Sequence, residues 1–314
     1  GHSRPVAGIE FSDVTEDGVF LISACHDKTA MLRSGETGDW IGTFEGHKGA
    51  VWGAALNAPA TRVATCSGDF SAKVWDAITG DELLELKHRH IVRAADWSAD
   101  SNTLVTGGKE AKLRIFDINQ PESEPRIVTG HTNTIKVVRF LPQPTTFLTG
   151  SEDKSVRVWD VRTDAEVKRI DFEGGVSSVE LSRDQKMLTV AAGTEVSFWE
   201  TQTYQCIKRF NLPVIEANGY GVNSATLHPE HKAFVAGGGN FWVYVHDYET
   251  GKELQCNKGH HGPVYGVRFT PDGKTYASGG DDGTIRIWTF ADGSGDGEAA
   301  DEGAPPAAAA TVES

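Results

Sequence analysis

The chain has 314 residues, of which 39% are hydrophobic and 24% are charged, and its formal net charge is −14 at neutral pH. This composition is typical of a folded globular protein and excludes a chain that is disordered throughout. The acidic balance disfavours a protein that grips a nucleic-acid backbone, and no apolar run reaches the roughly 20 residues of a membrane-spanning helix.

A repeat of about 40 residues runs through the chain and is visible in three columns of aligned positions. The first column is mostly aromatic and closes each unit: Arg33, Trp75, Phe116, Trp159, Trp199, His246 and Trp288. Six residues earlier stand Asp27, Asp69, Glu110, Asp153, Gly193, Asn240 and Asp282. Four residues before the first aliphatic residue of each unit stand His2, His47, His88, His131, Phe172, Asn218 and His260. Three columns in register indicate seven copies of one structural unit.

In chain order the units are predicted to be blades of a β-propeller. Each contains short runs of β-branched and aromatic residues separated by Gly and Asp turns, which is typical of four-stranded sheets packed around an axis. The blades are expected at residues 1–45, 46–86, 87–129, 130–171, 172–211, 212–257 and 258–290. Residues 291–314, acidic and rich in Gly, Ala and Pro, are expected to form a disordered tail.

The His, Asp and Trp columns predict a hydrogen-bond network inside each blade rather than a catalytic site, because every copy repeats the same set. The full set occurs in blades 2, 4 and 7: His47, Asp69 and Trp75; His131, Asp153 and Trp159; His260, Asp282 and Trp288. Blade 1 has Arg33 in place of Trp, and blade 3 has Phe116. Blades 5 and 6 lack both the His and the Asp.

The last blade lacks an evident fourth strand, because the tail is too polar and too rich in small residues to look like one. Either residues upstream of Gly1 supply that strand, or blade 7 keeps three strands. In the second case its open edge would offer strand addition to a partner.

One further column varies from blade to blade while its neighbours repeat, which is typical of contact residues. It follows the first aliphatic residue of each inner strand: Ala7, Trp52, Arg93, Lys136, Ser177, Asn223 and Tyr265. Trp52, Arg93, Lys136 and Tyr265 are candidate partner-binding residues, since Trp, Tyr and Arg anchor many interfaces. The alternative is that Trp52 and Tyr265 merely fill the rim of the central channel.

No motif points to an enzyme. A GxxxxGK[ST] phosphate loop, an HExxH metal pair and a GxSxG elbow are all missing from the sequence. The four cysteines have no CxxC spacing, which favours free thiols in a reducing compartment and argues against zinc. We therefore expect no catalytic residue, no metal and no cofactor.

The Gly-His and Trp-Asp columns resemble WD40 repeats, and other segments narrow the resemblance. Arg33 is followed by Thr37-Gly-Asp-Trp-Ile-Gly-Thr-Phe44, and the runs Phe70–Asp76, Asn223–Glu230 and Gly262–Trp288 agree as well. Together they resemble the serine/threonine kinase receptor-associated protein family, also called Unr-interacting proteins.

The resemblance implies a scaffold without enzymatic activity. Family members belong to the SMN complex, which loads Sm rings onto spliceosomal small nuclear RNAs and so serves mRNA splicing and processing. Implied partners are small Sm-like subunits of that complex, an Unr-type RNA-binding protein and receptor kinases of TGF-β signalling. The implied locations are the cytoplasm and the nucleus. The resemblance also implies that the protein is a monomeric propeller within a larger complex and contacts neither nucleic acid nor membrane directly.

Two other functions are alternatives for a propeller with this sequence. The WD-repeat subunit of a translation initiation factor complex is a related propeller that shares the Gly-His-x-Gly-Ala-Val-Trp stretch, which here begins at Gly46. A substrate receptor of a ubiquitin ligase would normally carry an added docking domain, and none is recognisable here.

Overall fold

The structure is a computed structural model that describes residues 1–143, 145–212, 221–291 and 310–311. Within those ranges the strands form seven four-stranded antiparallel sheets, and no helix is long and apolar enough to cross a membrane. The predicted all-β, seven-bladed propeller is therefore confirmed. Asn218 of the His column and most of the predicted tail lie outside the described residues.

Each blade is one meander of consecutive strands, numbered here in chain order. Blade 1 contains β1 (Val6–Phe11), β2 (Phe20–Cys25), β3 (Ala30–Ser34) and β4 (Trp40–Phe44). Blade 2 contains β5 (Val51–Leu56), β6 (Arg62–Ser67), β7 (Ser71–Asp76) and β8 (Glu82–Lys87). Blade 3 contains β9 (Val92–Trp97), β10 (Thr103–Gly108), β11 (Lys112–Asp117) and β12 (Arg126–Thr129).

The remaining blades repeat this pattern. Blade 4 contains β13 (Ile135–Phe140), β14 (Thr146–Ser151), β15 (Ser155–Asp160) and β16 (Ala165–Asp171). Blade 5 contains β17 (Val176–Leu181), β18 (Met187–Ala192), β19 (Glu195–Glu200) and β20 (Cys206–Asn211). Blade 6 contains β21 (Val222–Leu227), β22 (Ala233–Gly238), β23 (Val243–Asp247) and β24 (Glu253–Asn257). Blade 7 contains β25 (Val264–Phe269), β26 (Thr275–Gly280), β27 (Ile285–Thr289) and β28 (Ala310–Thr311).

The first strand of every blade faces the propeller axis. Each of these seven inner strands contacts the inner strand of the blade before it and of the blade after it, and β25 contacts β1 to close the ring. Successive side chains of a strand point to opposite faces. One set therefore packs against a neighbouring blade, while the other set faces the central channel.

The hydrophobic core lies between the blades rather than inside any one of them. Trp159 and Phe147 of blade 4 pack in one cluster with Val105 and Leu113 of blade 3, and all four are at most 2% exposed. Burying one such side chain contributes roughly 1.5–3 kcal/mol. Because every blade supplies half of two such layers, no blade can bury its faces alone.

The fourth strand of blade 7 comes from the C-terminal segment. Ala310 and Thr311 pair antiparallel with Ile287 and Arg286 of β27. This strand corrects the expectation that blade 7 either has three strands or is completed from upstream. Its pairing covers part of the outer edge of β27. Residues 292–309 and 312–314, which complete the predicted tail, lie outside the described residues.

Candidate functional site

The His, Asp and Trp columns meet inside the blades, as blade 4 illustrates. His131 Nδ1 lies 2.7 Å from Asp153 Oδ2, and His131 Nε2 lies 2.7 Å from Thr149 Oγ1. The indole N–H of Trp159 donates to the same Thr149 Oγ1 at 2.8 Å. A carboxylate only accepts, so Nδ1 carries the proton, and the Thr149 hydroxyl donates to Nε2 of the neutral ring.

Blades 2 and 7 have the same arrangement. His47 lies 2.8 Å from Asp69, and the Trp75 indole donates to Thr65 at 2.8 Å. His260 lies 3.1 Å from Asp282, and the Trp288 indole donates to Ser278 at 2.7 Å. These nine predicted network residues join the turn between the second and third strands of each blade to the loop that leads into the blade. Their mutual contacts are the hydrogen bonds that the repeated columns predict.

Blades 1 and 3 keep only part of the network. In blade 1, His2 contacts Asp27 at 2.9 Å, while the buried Arg33 guanidinium donates to the Gly38 carbonyl at 3.3 Å. In blade 3, His88 Nδ1 lies 2.9 Å from the backbone carbonyl oxygen of Leu86 rather than near a carboxylate. Glu110 has turned away from His88 and pairs with Arg114 at 2.8 Å. Because Glu110 is longer than the Asp of the other blades, its carboxylate reaches Arg114 on β11. An ion pair thus takes the place of the His–Asp contact in this blade.

Stability is expected to fall as the pH drops from about 7 towards 5. Burial lowers the pKa of six histidines below the ordinary 6.5: His2, His26, His47, His88, His131 and His246. The folded protein holds these rings neutral, while the unfolded chain takes up protons below pH 6.5, so acid favours unfolding.

The buried Asp96 and Glu180 oppose this trend, because burial raises the pKa of Asp96 to about 6 and raises the pKa of Glu180 above its ordinary value. The folded state then holds protons on these carboxyl groups at a pH where the unfolded chain has released them. Six histidines outweigh these two carboxyl groups. Urea midpoints recorded at pH 7.5, 6.5 and 5.5 test the prediction, and a midpoint that stays constant or rises towards pH 5.5 would contradict it.

All seven residues of the variable column surround one cavity of about 120 Å³ at one end of the channel. We call this cavity and its ring of residues the channel mouth. The four candidate partner-binding residues, Trp52, Arg93, Lys136 and Tyr265, are all half-buried there. The structure thus brings together side chains whose successive separations in sequence are 41, 43 and 129 residues.

The channel mouth is preorganised by contacts among its own side chains. The Arg93 guanidinium lies 3.8 Å from the centre of the Trp52 ring, a close cation–π stack. Lys136 pairs with Glu152 at 2.9 Å, and the Tyr265 hydroxyl donates to Asp281 at 3.1 Å. Each candidate residue therefore has a fixed orientation before any partner arrives.

The sequence analysis missed His26 of blade 1, whose ring packs against Trp52 of blade 2. Its ring centre lies 4.1 Å from that of Trp52 in an edge-on arrangement. Its Nε2 is buried and has no hydrogen-bond partner among the described residues. His26 precedes the Asp column by one residue, a position at which the other blades carry no histidine, so alignment of the turns gives a signal for it.

A ring of charged side chains inside the channel was also missed. In five of the seven inner strands the fifth residue is charged and lines a cavity of about 330 Å³ in the channel: Glu10, Asp96, Arg139, Glu180 and Arg268. The fifth residues of the other two, Ala55 and Thr226, are fully buried. Arg139 Nη2 lies 2.7 Å from Glu10 Oε2 across the channel, and its Nη1 lies 3.7 Å from Asp96 Oδ1. Although burial opposes the charge, these two carboxylates raise the pKa of Arg139. The ring therefore ties blades 1, 3 and 4 together through one guanidinium.

Acidic charge in blades 1 to 3 is concentrated at the end of the propeller opposite the channel mouth. In blades 1 to 3 the turns at that end carry no lysine or arginine and nine acids: Asp13, Glu16, Asp17, Glu36, Asp39, Asp81, Asp100, Glu122 and Glu124. Turns of these blades at the mouth end carry four basic residues, Lys28, Lys48, Arg89 and Lys109, against four acids, Asp27, Glu45, Asp69 and Glu110. The two ends of these three blades thus differ in charge, and therefore in local electrostatic potential.

Comparison with known proteins agrees with this architecture. The family model described as "WD domain, G-beta repeat" matches residues 38–76, 80–117, 123–160 and 251–289. The chain is 50% identical over 288 residues to the serine-threonine kinase receptor-associated protein of Gallus gallus, covering 92% of this chain and 80% of that protein. It is 46% identical over 289 residues to the protein of the same name from Dictyostelium discoideum, covering 92% of this chain and 96% of the relative.

A more distant relative is subunit I of eukaryotic translation initiation factor 3 from Culex quinquefasciatus. Identity to it is 30% over 320 residues, covering 92% of this chain and 95% of the relative. The difference between 50% and 30% identity separates the two families. The seven blades and the higher identity together show that the chain belongs to the serine-threonine kinase receptor-associated protein family of WD40-repeat propellers.

Proposed function

We propose that this protein is a non-enzymatic scaffold that holds partner proteins at the channel mouth. The observation that carries the proposal is the convergence of Trp52, Arg93, Lys136 and Tyr265 on one cavity. Half-buried aromatic and arginine side chains of fixed orientation are the groups that supply most of the binding energy in protein interfaces. The repeated His, Asp and Trp residues of blades 2, 4 and 7 are engaged in hydrogen bonds within their own blades.

We further propose that the assembly it serves is the SMN complex and that its role is in spliceosomal snRNP formation, in cytoplasm and nucleus. Partners of this kind are small Sm-like proteins and an Unr-type RNA-binding protein. The names of the chicken and Dictyostelium relatives state an association with a serine-threonine kinase receptor, so a receptor kinase is a further partner class. The net charge of −14 favours protein contacts over direct contact with RNA.

The relative from Culex supports one alternative, a subunit role in a translation initiation factor complex. Both roles use a propeller as a scaffold, and they differ in the partners that it retains. Partner identity is therefore the measurement that separates them.

The test is affinity purification of the tagged full chain from its own cells, with and without RNase, read by mass spectrometry. We expect Sm proteins and SMN-complex subunits to be retained after RNase treatment. Recovery of translation initiation subunits in their place would overturn the assignment to snRNP assembly.

Variants at the channel mouth test where partners bind. Trp52→Ala, Lys136→Ala and Tyr265→Ala are expected to reduce recovery of partners at least tenfold, the effect of losing one good interface anchor. Trp40→Ala is the matched control, because Trp40 is 60% exposed on the outer strand β4, away from the channel. Equal loss in the control, or full retention in all three variants, would show that partners bind elsewhere.

A further inference from the structure

The guanidinium of Arg93 is held in a fixed position at the channel mouth. It stacks on Trp52 at 3.8 Å, yet none of the described residues accepts a hydrogen bond from its N–H groups. Burial lowers the pKa of Arg93, and the nearby Glu152, which pairs with Lys136 at 2.9 Å, offsets this only in part. A half-buried guanidinium whose donors have no acceptor among the described residues is well placed to bind an anion.

The shape of the site indicates which anion fits. A guanidinium presents donors in a planar fork that matches a carboxylate through two parallel hydrogen bonds. The Trp52 ring fixes the plane of that fork, and the cavity of about 120 Å³ has room for one side chain but not for a folded domain. The buried Nε2 of His26, on the other side of Trp52, adds a polar atom without a partner in the described structure.

The surrounding charges favour a single carboxylate of a protein over the phosphate chain of a nucleic acid. Glu152 and the exposed Asp281 lie at the rim, so the mouth as a whole has no excess positive charge to attract a polyanion. A single acidic residue with a basic neighbour satisfies both the fork and the rim. The nine acids in the turns of blades 1 to 3 are at the opposite end, so they do not repel such a segment from the mouth.

We propose that the channel mouth binds one aspartate or glutamate side chain of an extended partner segment through Arg93, with a lysine or arginine of the segment facing Asp281. The proposal rests on the proposed function, since it specifies the partner chemistry of the same site. Arg93 supplies the charged fork, Trp52 holds it in plane, and Lys136 stays paired with Glu152.

The experiment begins with selection of a phage-displayed random dodecapeptide library on the immobilised full chain. We expect the selected peptides to share one Asp or Glu with a Lys or Arg within two residues. Calorimetric titration of the best peptide then compares it with its Asp→Asn or Glu→Gln form. We expect that change to weaken binding about tenfold to a hundredfold, the effect of losing a charge-assisted hydrogen-bond pair.

Substitutions in the protein complete a double-mutant cycle. Arg93→Gln is expected to weaken the acidic peptide as much as the peptide change does, and the two changes together to add little further loss. Arg93→Lys, which keeps the charge without the fork, is expected to be intermediate. Arg209→Gln is the matched control, because Arg209 also stacks on a tryptophan, Trp199, at 5.1 Å, but lies on the outer strand β20.

The outcomes separate this inference from the proposed function. Selected peptides without a shared acid, or equal affinity of the acidic and amide peptides, would overturn the role of Arg93. If Arg93→Gln keeps its cellular partners while Trp52→Ala and Tyr265→Ala lose them, the mouth is the binding site but its ligand is not a carboxylate. Retention of partners by all mouth variants overturns the site itself.

Discussion

Replacing Trp159 with alanine is expected to lower the free energy of unfolding by about 3–5 kcal/mol, the usual effect of removing a large buried aromatic side chain. Trp159 is 2% exposed and lies in the cluster between blades 3 and 4, so its loss leaves a cavity in an interblade layer. It also removes the indole donor of Thr149. Urea denaturation followed by circular dichroism measures the change.

Two variants bracket the contribution of Trp159. Trp159→Phe loses the indole donor and part of the buried ring, so we expect an intermediate loss of about 2 kcal/mol. Trp40→Ala, the exposed matched control on β4, is expected to change stability by less than about 0.5 kcal/mol. Equal destabilisation by Trp159→Ala and Trp40→Ala would contradict the assignment of Trp159 to the core.

Replacing Arg139 with alanine is expected to lower the free energy of unfolding by about 3 kcal/mol. Arg139 lies 2.7 Å from Glu10 and 3.7 Å from Asp96, and the three side chains are only 15–25% exposed. Removing the cation leaves the carboxylates of Glu10 and Asp96, which are 25% and 15% exposed, without their shared partner. Their residual exposure places the effect at the lower end of the range for buried ion pairs.

A neutral triple variant provides the control for this prediction. In Glu10→Gln, Asp96→Asn, Arg139→Met no buried charge remains unpaired, so we expect it to recover most of the stability lost in Arg139→Ala. Parallel denaturation of both proteins measures the difference. If Arg139→Ala is within 1 kcal/mol of the unmodified protein, the charged ring contributes little to closing the propeller.

The repeat made much of this structure predictable from sequence. Once the Trp159 column aligns, the positions of Asp153 and His131 follow from the spacing, because each blade repeats the same strands and turns. The channel mouth was predictable for the same reason. Trp52 and Tyr265 occupy equivalent positions on inner strands, and equivalent positions in a closed ring face the same axis.

Features that depend on distances across the ring were not predictable. The pairing of Arg139 with Glu10 depends on which blades stand opposite one another and on the reach of the side chains across the channel. The stack of His26 on Trp52 depends on the approach of a turn in blade 1 to the inner strand of blade 2. Ala310 and Thr311 form a strand too short to have a sequence pattern, so composition alone suggested a tail.

The contact between Glu10 and Arg139 also bears on how the chain folds during synthesis. The two residues are 129 positions apart, so the first blade leaves the ribosome long before its channel carboxylate has a cation to face. Early blades must therefore persist with one solvated acid on their inner edge until the fourth blade has emerged. We expect the slow step of folding to be closure of the circle rather than formation of any single meander, because loops of this length close at a high entropic cost.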